Sequence, residues 1–288
     1  MTALLYGIGA ALGWGIADYT GAISSRRLGV FGTMFGMELL GTFLYAAALA
    51  FLDLWPALDV AQLPYAIALA IVGSASIAAF FRALAVGQIA VVSPIGSAYL
   101  AVTVVLVVVF LGERLSMPQG LAIGTTFIGV MLTSTDVRRF VALVRRSDPG
   151  VRLAVLAMLG FGCWAALLSA ATRAQDGLAT VLLMRVTSVV LFAALFALWP
   201  VARPGRFGVR DVALVTVVGT FDTLANVAYV LGVQSGFASV VATGSAVYPL
   251  LPAGLAIGFL GERLALNQYV GVVVLAAGLV ALGVTSAG

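Results

Sequence analysis

The chain has 288 residues, of which 62% are apolar, and its 15 basic and 11 acidic side chains make up only 9% of the total. Soluble domains typically carry about 25% charged residues, so this chain has too few charges to cover the surface of a soluble globular enzyme. Its mean hydropathy of +1.16 also excludes a disordered chain and a nucleic-acid-binding protein.

Ten stretches are mainly apolar and close to the ~20 residues that a helix needs to cross a bilayer. In chain order they are Ala3–Ile23, Val30–Leu52, Leu63–Val86, Ile89–Leu111, Gln119–Ser134, Arg152–Ala171, Leu178–Trp199, Val212–Leu231, Phe237–Leu260 and Gln268–Val284. Short connections join them, and the longest is basic, Thr135–Val151. The sequence therefore predicts an all-α, multi-pass integral membrane protein with ten transmembrane helices.

The arginines between these spans indicate the orientation. On the side of the two predicted termini the loops contain only Arg114 and Arg173, whereas the opposite loops contain eleven arginines. Because cytoplasmic loops carry an excess of basic residues, we expect both termini in the periplasm.

The second half of the chain repeats the first. Gly112–Leu115, Gly-Glu-Arg-Leu, recurs as Gly261–Leu264, an offset of 149 residues. Further identities follow the same register: Gly87 with Gly236, Tyr99 with Tyr248, Gly129 with Gly278 and, at an offset of 150, Trp14 with Trp164. We therefore expect two five-helix repeats, residues 1–144 and 145–288, in one membrane-embedded unit.

Each predicted repeat crosses the membrane five times, an odd number. Two similar repeats must then cross in opposite directions, which is the inverted-topology arrangement of many secondary transporters. Such a pair encloses a central cavity that can open to either side in turn. The arrangement predicts that Glu113 and Glu262 lie on opposite faces of the membrane.

Five plus five spans, a basic central loop and Phe-Leu-Gly-Glu-Arg-Leu at Phe110–Leu115 and Phe259–Leu264 resemble the EamA family of the drug/metabolite transporter superfamily. The resemblance covers essentially the whole chain. It implies an exporter of amino acids or other metabolites in the bacterial inner membrane. It also implies a cavity lined mainly by spans 1, 3, 4, 6, 8 and 9, with spans 5 and 10 at the periphery. The family often has an arginine in the second span of each half, and Arg185 fits, but Glu38 lies near the equivalent place in the first half.

Spans four and nine contain internal prolines, Pro94 in one and Pro249 and Pro252 in the other. Proline frees backbone carbonyls, and matched interruptions in two repeats indicate a transport site. One face of span four carries Val92, Gly96, Tyr99 and Thr103, which the offset relates to Val241, Ser245, Tyr248 and Pro252. These residues are candidates for lining the cavity; the alternative is that they are tolerated kinks and packing contacts.

Aromatic residues also occupy matching positions in the two halves. Trp14 and Trp164 lie in the middle of spans one and six, away from the interfaces that tryptophan usually prefers. The offset relates Phe80 to Tyr229 in spans three and eight. We expect these four side chains to contact substrate, although packing between helices would also explain them.

Ionisable side chains within the spans are expensive to insert into a membrane and are often functional. They are Asp18, Glu38, Arg82, Arg185 and Asp222. Asn226 lies one helical turn beyond Asp222. We expect Glu38, Asp222 and Asp18 to form a polar or ion-coupling network, Asn226 to bind substrate, and the two arginines to have structural roles. Inverted repeats place Glu38 and Arg185 at different depths, so we do not expect these two to pair.

The chain contains no histidine and no lysine, and Cys163 is its only cysteine. It therefore lacks the most common general base, a Walker A loop and the residues of a cysteine metal site. We expect no catalytic residue, metal or cofactor, no nucleic-acid partner and a unit that could work as a monomer. The function that we expect is a secondary transporter that exports amino acids, aromatic ones included. The alternatives are export of cationic compounds or drugs, an intramembrane enzyme and a non-transporting scaffold.

Overall fold

The computed structural model describes residues 1–51, 53, 55–87, 89–134, 149–199, 207–248 and 265–286. Its elements are helical, and these residues form no strand. The helices are α1 (Thr2–Phe51), α2 (Leu63–Val86), α3 (Ile89–Ser97), α4 (Tyr99–Leu111), α5 (Met117–Ser134), α6 (Pro149–Ala174), α7 (Gly177–Leu198), α8 (Val209–Ser235), α9 (Ala238–Ser245) and α10 (Leu266–Thr285). Within this part of the chain, seven helical segments are long and apolar enough to cross a membrane.

Helix α1 consists of two arms that meet at Gly29. The backbone there has φ 73° and ψ 166°, a conformation that glycine adopts without steric cost. Gly29 separates the predicted spans Ala3–Ile23 and Val30–Leu52, so α1 contains both. Its first arm continues several residues past the predicted end at Ile23.

The predicted fourth span is interrupted, as its proline suggests. Pro94 lies inside α3, and the helix restarts as α4 after Ala98. Gly112 ends α4 in the left-handed conformation, with φ 68°. Pro249, Pro252, Glu262 and the rest of the second Gly-Glu-Arg-Leu copy lie outside the described residues, as does most of the basic central loop.

Helices α5 and α10, the last helices of the two predicted repeats, pack against each other in antiparallel directions. A side chain at Gly129 would meet Leu275, and one at Gly278 would meet Thr126. Residue numbers therefore rise along one helix as they fall along the other. The 149-residue offset relates Gly129 to Gly278 and Thr126 to Leu275, so both halves use the same positions for this contact.

The two chain ends lie at the same end of the bundle. The Met1 ammonium group is 3.4 Å from the Ser286 carbonyl oxygen, and the Gln119 side chain donates to the Thr285 carbonyl at 3.3 Å. This proximity agrees with an even number of passes through the bundle.

Small residues allow α1 and α8 to approach closely. A Cβ atom at Gly13 would lie 2.7 Å from the Phe221 carbonyl oxygen, and one at Gly219 would lie 2.8 Å from that of Met37. Glycine at such positions permits backbone contact between membrane helices. The contact places the second arm of α1, which carries Glu38, beside the middle of α8, which carries Asp222.

Candidate functional site

A cavity that is open on one side lies between α1, α2, α4, α6, α7 and α8, with a further wall from the turn after α9. The resemblance implied walls from spans 1, 3, 4, 6, 8 and 9, and residues from all of these line it. Spans 2 and 7 also contribute, through Glu38 and through Met184 and Ser188. No described residue of α5 or α10 lines it.

The aromatic and amide residues predicted from the sequence meet around this cavity. Trp14 and Trp164 form an edge-to-face pair with ring centroids 5.9 Å apart. Tyr99, Asn226 and Tyr248 also line the cavity wall. Residues at equivalent positions in the two halves therefore face one another across a shared space.

The other four predicted contact residues lie directly behind this wall. The Phe80 ring is 5.7 Å from the ring of Phe161, which lines the cavity. The Tyr229 ring is 5.7 Å from that of Trp14. Ser245 shares a 2.6 Å hydrogen bond with the Tyr99 hydroxyl. A Cβ atom at Gly96 would lie 3.1 Å from the Tyr248 hydroxyl.

Three carboxyl groups line the cavity, and two of them share one buried cation. Arg185, which has no exposed surface, lies 3.3 Å from Glu38 and 2.6 Å from Asp222. The expectation that Glu38 and Arg185 would not pair is therefore wrong. The long arginine side chain reaches across the difference in depth, and Gly41 leaves room for its guanidinium, since a Cβ atom there would lie 2.6 Å from Nη1.

Asn226 and Asp18 complete the polar part of the wall. The Asn226 amide nitrogen donates to the carbonyl and to the carboxylate of Asp222, at 2.8 and 3.1 Å. Asp18 makes no hydrogen bond or ion pair within the described part of the chain. The first arm of α1 continues to Gly29, and Asp18 lines the cavity.

Nine residues of the cavity lining were not among the sequence predictions, and five of them lie in α2. Phe161 lies one helical turn before Trp164 on the same face of α6, and this spacing could have identified it. Met184 and Ser188 flank Arg185 on α7, and no pattern in the sequence distinguishes them from ordinary packing residues.

Glu113, in the first Gly-Glu-Arg-Leu copy, joins three helices at one end of the bundle. Its buried carboxylate accepts from the backbone N–H groups of Ala238 and Ser239 at the start of α9, the latter at 3.2 Å. It also pairs with Arg173 near the end of α6. A carboxylate at a helix N-terminus is favourable, so the motif links the first half to the second.

These features define a multi-pass helical membrane protein with a polar and aromatic internal cavity. Among the residues that the structure describes, no cluster of three or more metal-ligating side chains occurs. The profile of the EamA-like transporter family matches residues 1–135 and again residues 149–284. The chain therefore belongs to the EamA-like transporter family, within the drug/metabolite transporter superfamily, and contains two copies of the repeat.

Comparison with solved structures supports the same fold. A structure described as "Crystal structure of protein" superposes with a TM-score of 0.76 at 15% sequence identity, covering 98% of both chains. At this identity the likeness concerns the fold alone. No curated protein sequence matches the chain significantly.

Proposed function

We propose that the chain is a secondary transporter that moves small amphipathic, amine-bearing solutes by alternating access between two inverted repeats, residues 1–144 and 145–288. The observation that carries the proposal is the antiparallel packing of α5 and α10, which occupy equivalent places in the two halves. Helices related by the sequence repeat would run parallel if both halves crossed the membrane in one direction.

The contacts around Glu113 support a conformational role for one end of the cavity. They tie the ends of α4, α6 and α9 together. In alternating access, the helix ends on one side close while those on the other side separate. The described conformation is then the one in which the Glu113 end, periplasmic in the proposed topology of a bacterial inner-membrane protein, is closed.

The cavity lining supports solutes with an apolar or aromatic part and an amine. Trp14, Trp164 and Phe161 offer aromatic surface, which binds rings and also attracts cations. Aromatic amino acids meet this description and fit the export function that the family resemblance implies. Organic cations are a second candidate, because three carboxyl groups line the cavity and its described lining contains no arginine.

Transport by purified protein in liposomes tests the proposal. Proteoliposomes are loaded with phenylalanine or with phenyltrimethylammonium, a permanently charged cation, and efflux is compared with that from protein-free liposomes. We expect faster efflux of at least one solute, reduced by the cavity substitution Trp164→Ala. Equal efflux with and without protein, over a panel of aromatic amino acids and aromatic cations, would contradict it.

A further inference from the structure

Tyr99 and Tyr248 occupy equivalent positions, but among the described residues only the Tyr99 hydroxyl has a hydrogen-bond partner. The Tyr99 hydroxyl shares a 2.6 Å hydrogen bond with Ser245. The 149-residue offset relates Ser245 to Gly96, and a Cβ atom at Gly96 would lie 3.1 Å from the Tyr248 hydroxyl. Each tyrosine hydroxyl therefore lies beside the same position of the other repeat. Ser245 forms a hydrogen bond there, whereas Gly96 has no side chain to do so.

Tyr248 consequently has an unused hydroxyl in the cavity wall. Its side chain is more than nine-tenths buried, with a residue exposure of 8%, and its hydroxyl makes no hydrogen bond to any described residue. Because Tyr248 lines the cavity, this hydroxyl can be reached from the cavity space. A ligand atom in the cavity can supply that partner, and a donor group suits the free lone pairs of the hydroxyl oxygen.

Asp18 provides a carboxyl group in the same cavity. It lies close enough to Tyr248 for electrostatic interaction. Unlike Glu38 and Asp222, it has no cationic partner in the described part of the chain. A cation nearby favours the charged form of a carboxyl group that is removed from water. The space beside Asp18 is therefore suited to a cation that the described part of the chain does not supply.

Among the described lining residues, a ligand carboxylate finds no cationic partner. Arg185 is fully buried and does not line the cavity, and both of its terminal nitrogens already contact carboxylates. The chain has no lysine. The carboxylate of a zwitterion would therefore meet carboxyl groups but no cation among the described lining residues, which disfavours its binding.

We propose that Asp18 and the Tyr248 hydroxyl form a subsite for the protonated amine of a solute that carries an apolar or aromatic group and no carboxylate. This inference rests on the proposed transport function and narrows its substrate class. The ammonium group donates to Asp18 and to the Tyr248 oxygen, while the attached ring lies against Trp14 and Trp164. The cavity then selects amines over the corresponding amino acids.

Calorimetric titration of the purified full chain in detergent tests this with three probes that share one ring: phenethylamine, phenylalanine and 3-phenylpropionate. We expect phenethylamine to bind about tenfold more tightly than phenylalanine, because only phenylalanine brings a carboxylate into a cavity whose described lining offers it no cation, a penalty of about one decade in affinity. The third probe should not bind measurably. Phenylalanine binding as tightly as phenethylamine, or no binding of phenethylamine, would overturn the proposal.

Repeat-equivalent variants provide the matched comparison. Tyr248→Phe should weaken phenethylamine binding by about fivefold or more, whereas Tyr99→Phe, which removes a hydroxyl already bonded to Ser245, should weaken it less. Asp18→Asn should weaken it about tenfold or more, and Asp18→Glu should retain part of the affinity. If Asp18→Asn does not fold, the tyrosine pair still decides, since equal losses contradict the subsite.

Efflux from proteoliposomes separates this inference from the proposed function. Protein that exports phenylalanine but does not bind phenethylamine retains the transport function and refutes the amine subsite. Protein that binds phenethylamine but transports neither solute refutes the transport function and retains the subsite.

Discussion

The fully buried Arg185 forms an ion pair at 2.6 Å with Asp222, whose side chain is 13% exposed, and Glu38 is a second acid on the same guanidinium. Paired charges of this kind are costly to desolvate, but removing one partner is costlier, because the remaining charge stays buried and uncompensated. The pair holds α7 against α8 and, through Glu38, against the second arm of α1.

Replacing Arg185 with methionine should therefore destabilise the fold by about 3–5 kcal/mol. Reversible unfolding in mixed micelles containing SDS measures the change. The control is Arg82→Met, at an exposed position in α2, which should cost about 0.5 kcal/mol or less. Adding Glu38→Gln and Asp222→Asn to Arg185→Met should recover part of the loss. Similar stabilities for the two single variants would refute this role for the ion network.

Glu113 should matter more to stability than its partner Arg173. Glu113→Ala removes the acceptor for two N–H groups of α9 as well as the ion pair, and should cost about 2 kcal/mol. Arg173→Ala leaves the cap in place, and the arginine side chain is 32% exposed, so it should cost about 1 kcal/mol or less. The same unfolding assay applies, and a larger effect at Arg173 would contradict the interpretation.

Alanine substitutions in α5 distinguish the face that packs on α10 from the open face. Gly129→Ala places a methyl group against the Leu275 backbone and should destabilise by about 1–3 kcal/mol. At Gly124 no atom lies within 4 Å of the added carbon, so Gly124→Ala should be neutral or stabilising by up to about 1 kcal/mol. Equal effects would show that the two helices do not pack through Gly129.

Trp14 should contribute to binding through the ring of a solute. Trp14→Leu should raise the dissociation constant of phenethylamine about fivefold, because ring contacts are worth roughly 0.5–1.5 kcal/mol. Butylamine, which has an amine but no ring, should be affected less. Isothermal titration of both ligands measures this, and an equal loss for the two amines would place the indole outside the ring-binding surface.

The sequence predicted the helices better than it predicted how side chains meet. Hydropathy placed α2 at Leu63–Val86, which are its observed ends, and Pro94 indicated the interrupted fourth span. The register of the repeat led to Trp14, Trp164, Tyr99 and Tyr248, which the structure brings to one cavity. These features follow from local composition and from symmetry.

The polar network could not be predicted in the same way. The prediction that Glu38 and Arg185 do not pair was based on the depth of their backbones and neglected the length of the arginine side chain. Hydropathy underestimated the length of the first arm of α1, which ends at Gly29 and carries Asp18. The sequence repeat identified Ser245 and Gly96 as equivalent positions. Only the structure shows that each lies beside a tyrosine hydroxyl, which Ser245 can bond and Gly96 cannot.

The most direct test of the account is the sidedness of two equivalent residues, Met117 and Leu266. They begin α5 and α10, are related by the 149-residue offset, and are 78% and 80% exposed. In a Cys163→Ala background, Met117→Cys and Leu266→Cys are labelled with a membrane-impermeant maleimide from each side of sealed vesicles. Inverted repeats predict that Met117→Cys reacts only from the periplasmic side and Leu266→Cys only from the cytoplasmic side. Labelling of both from the same side would contradict the inverted arrangement and the transport path between the repeats.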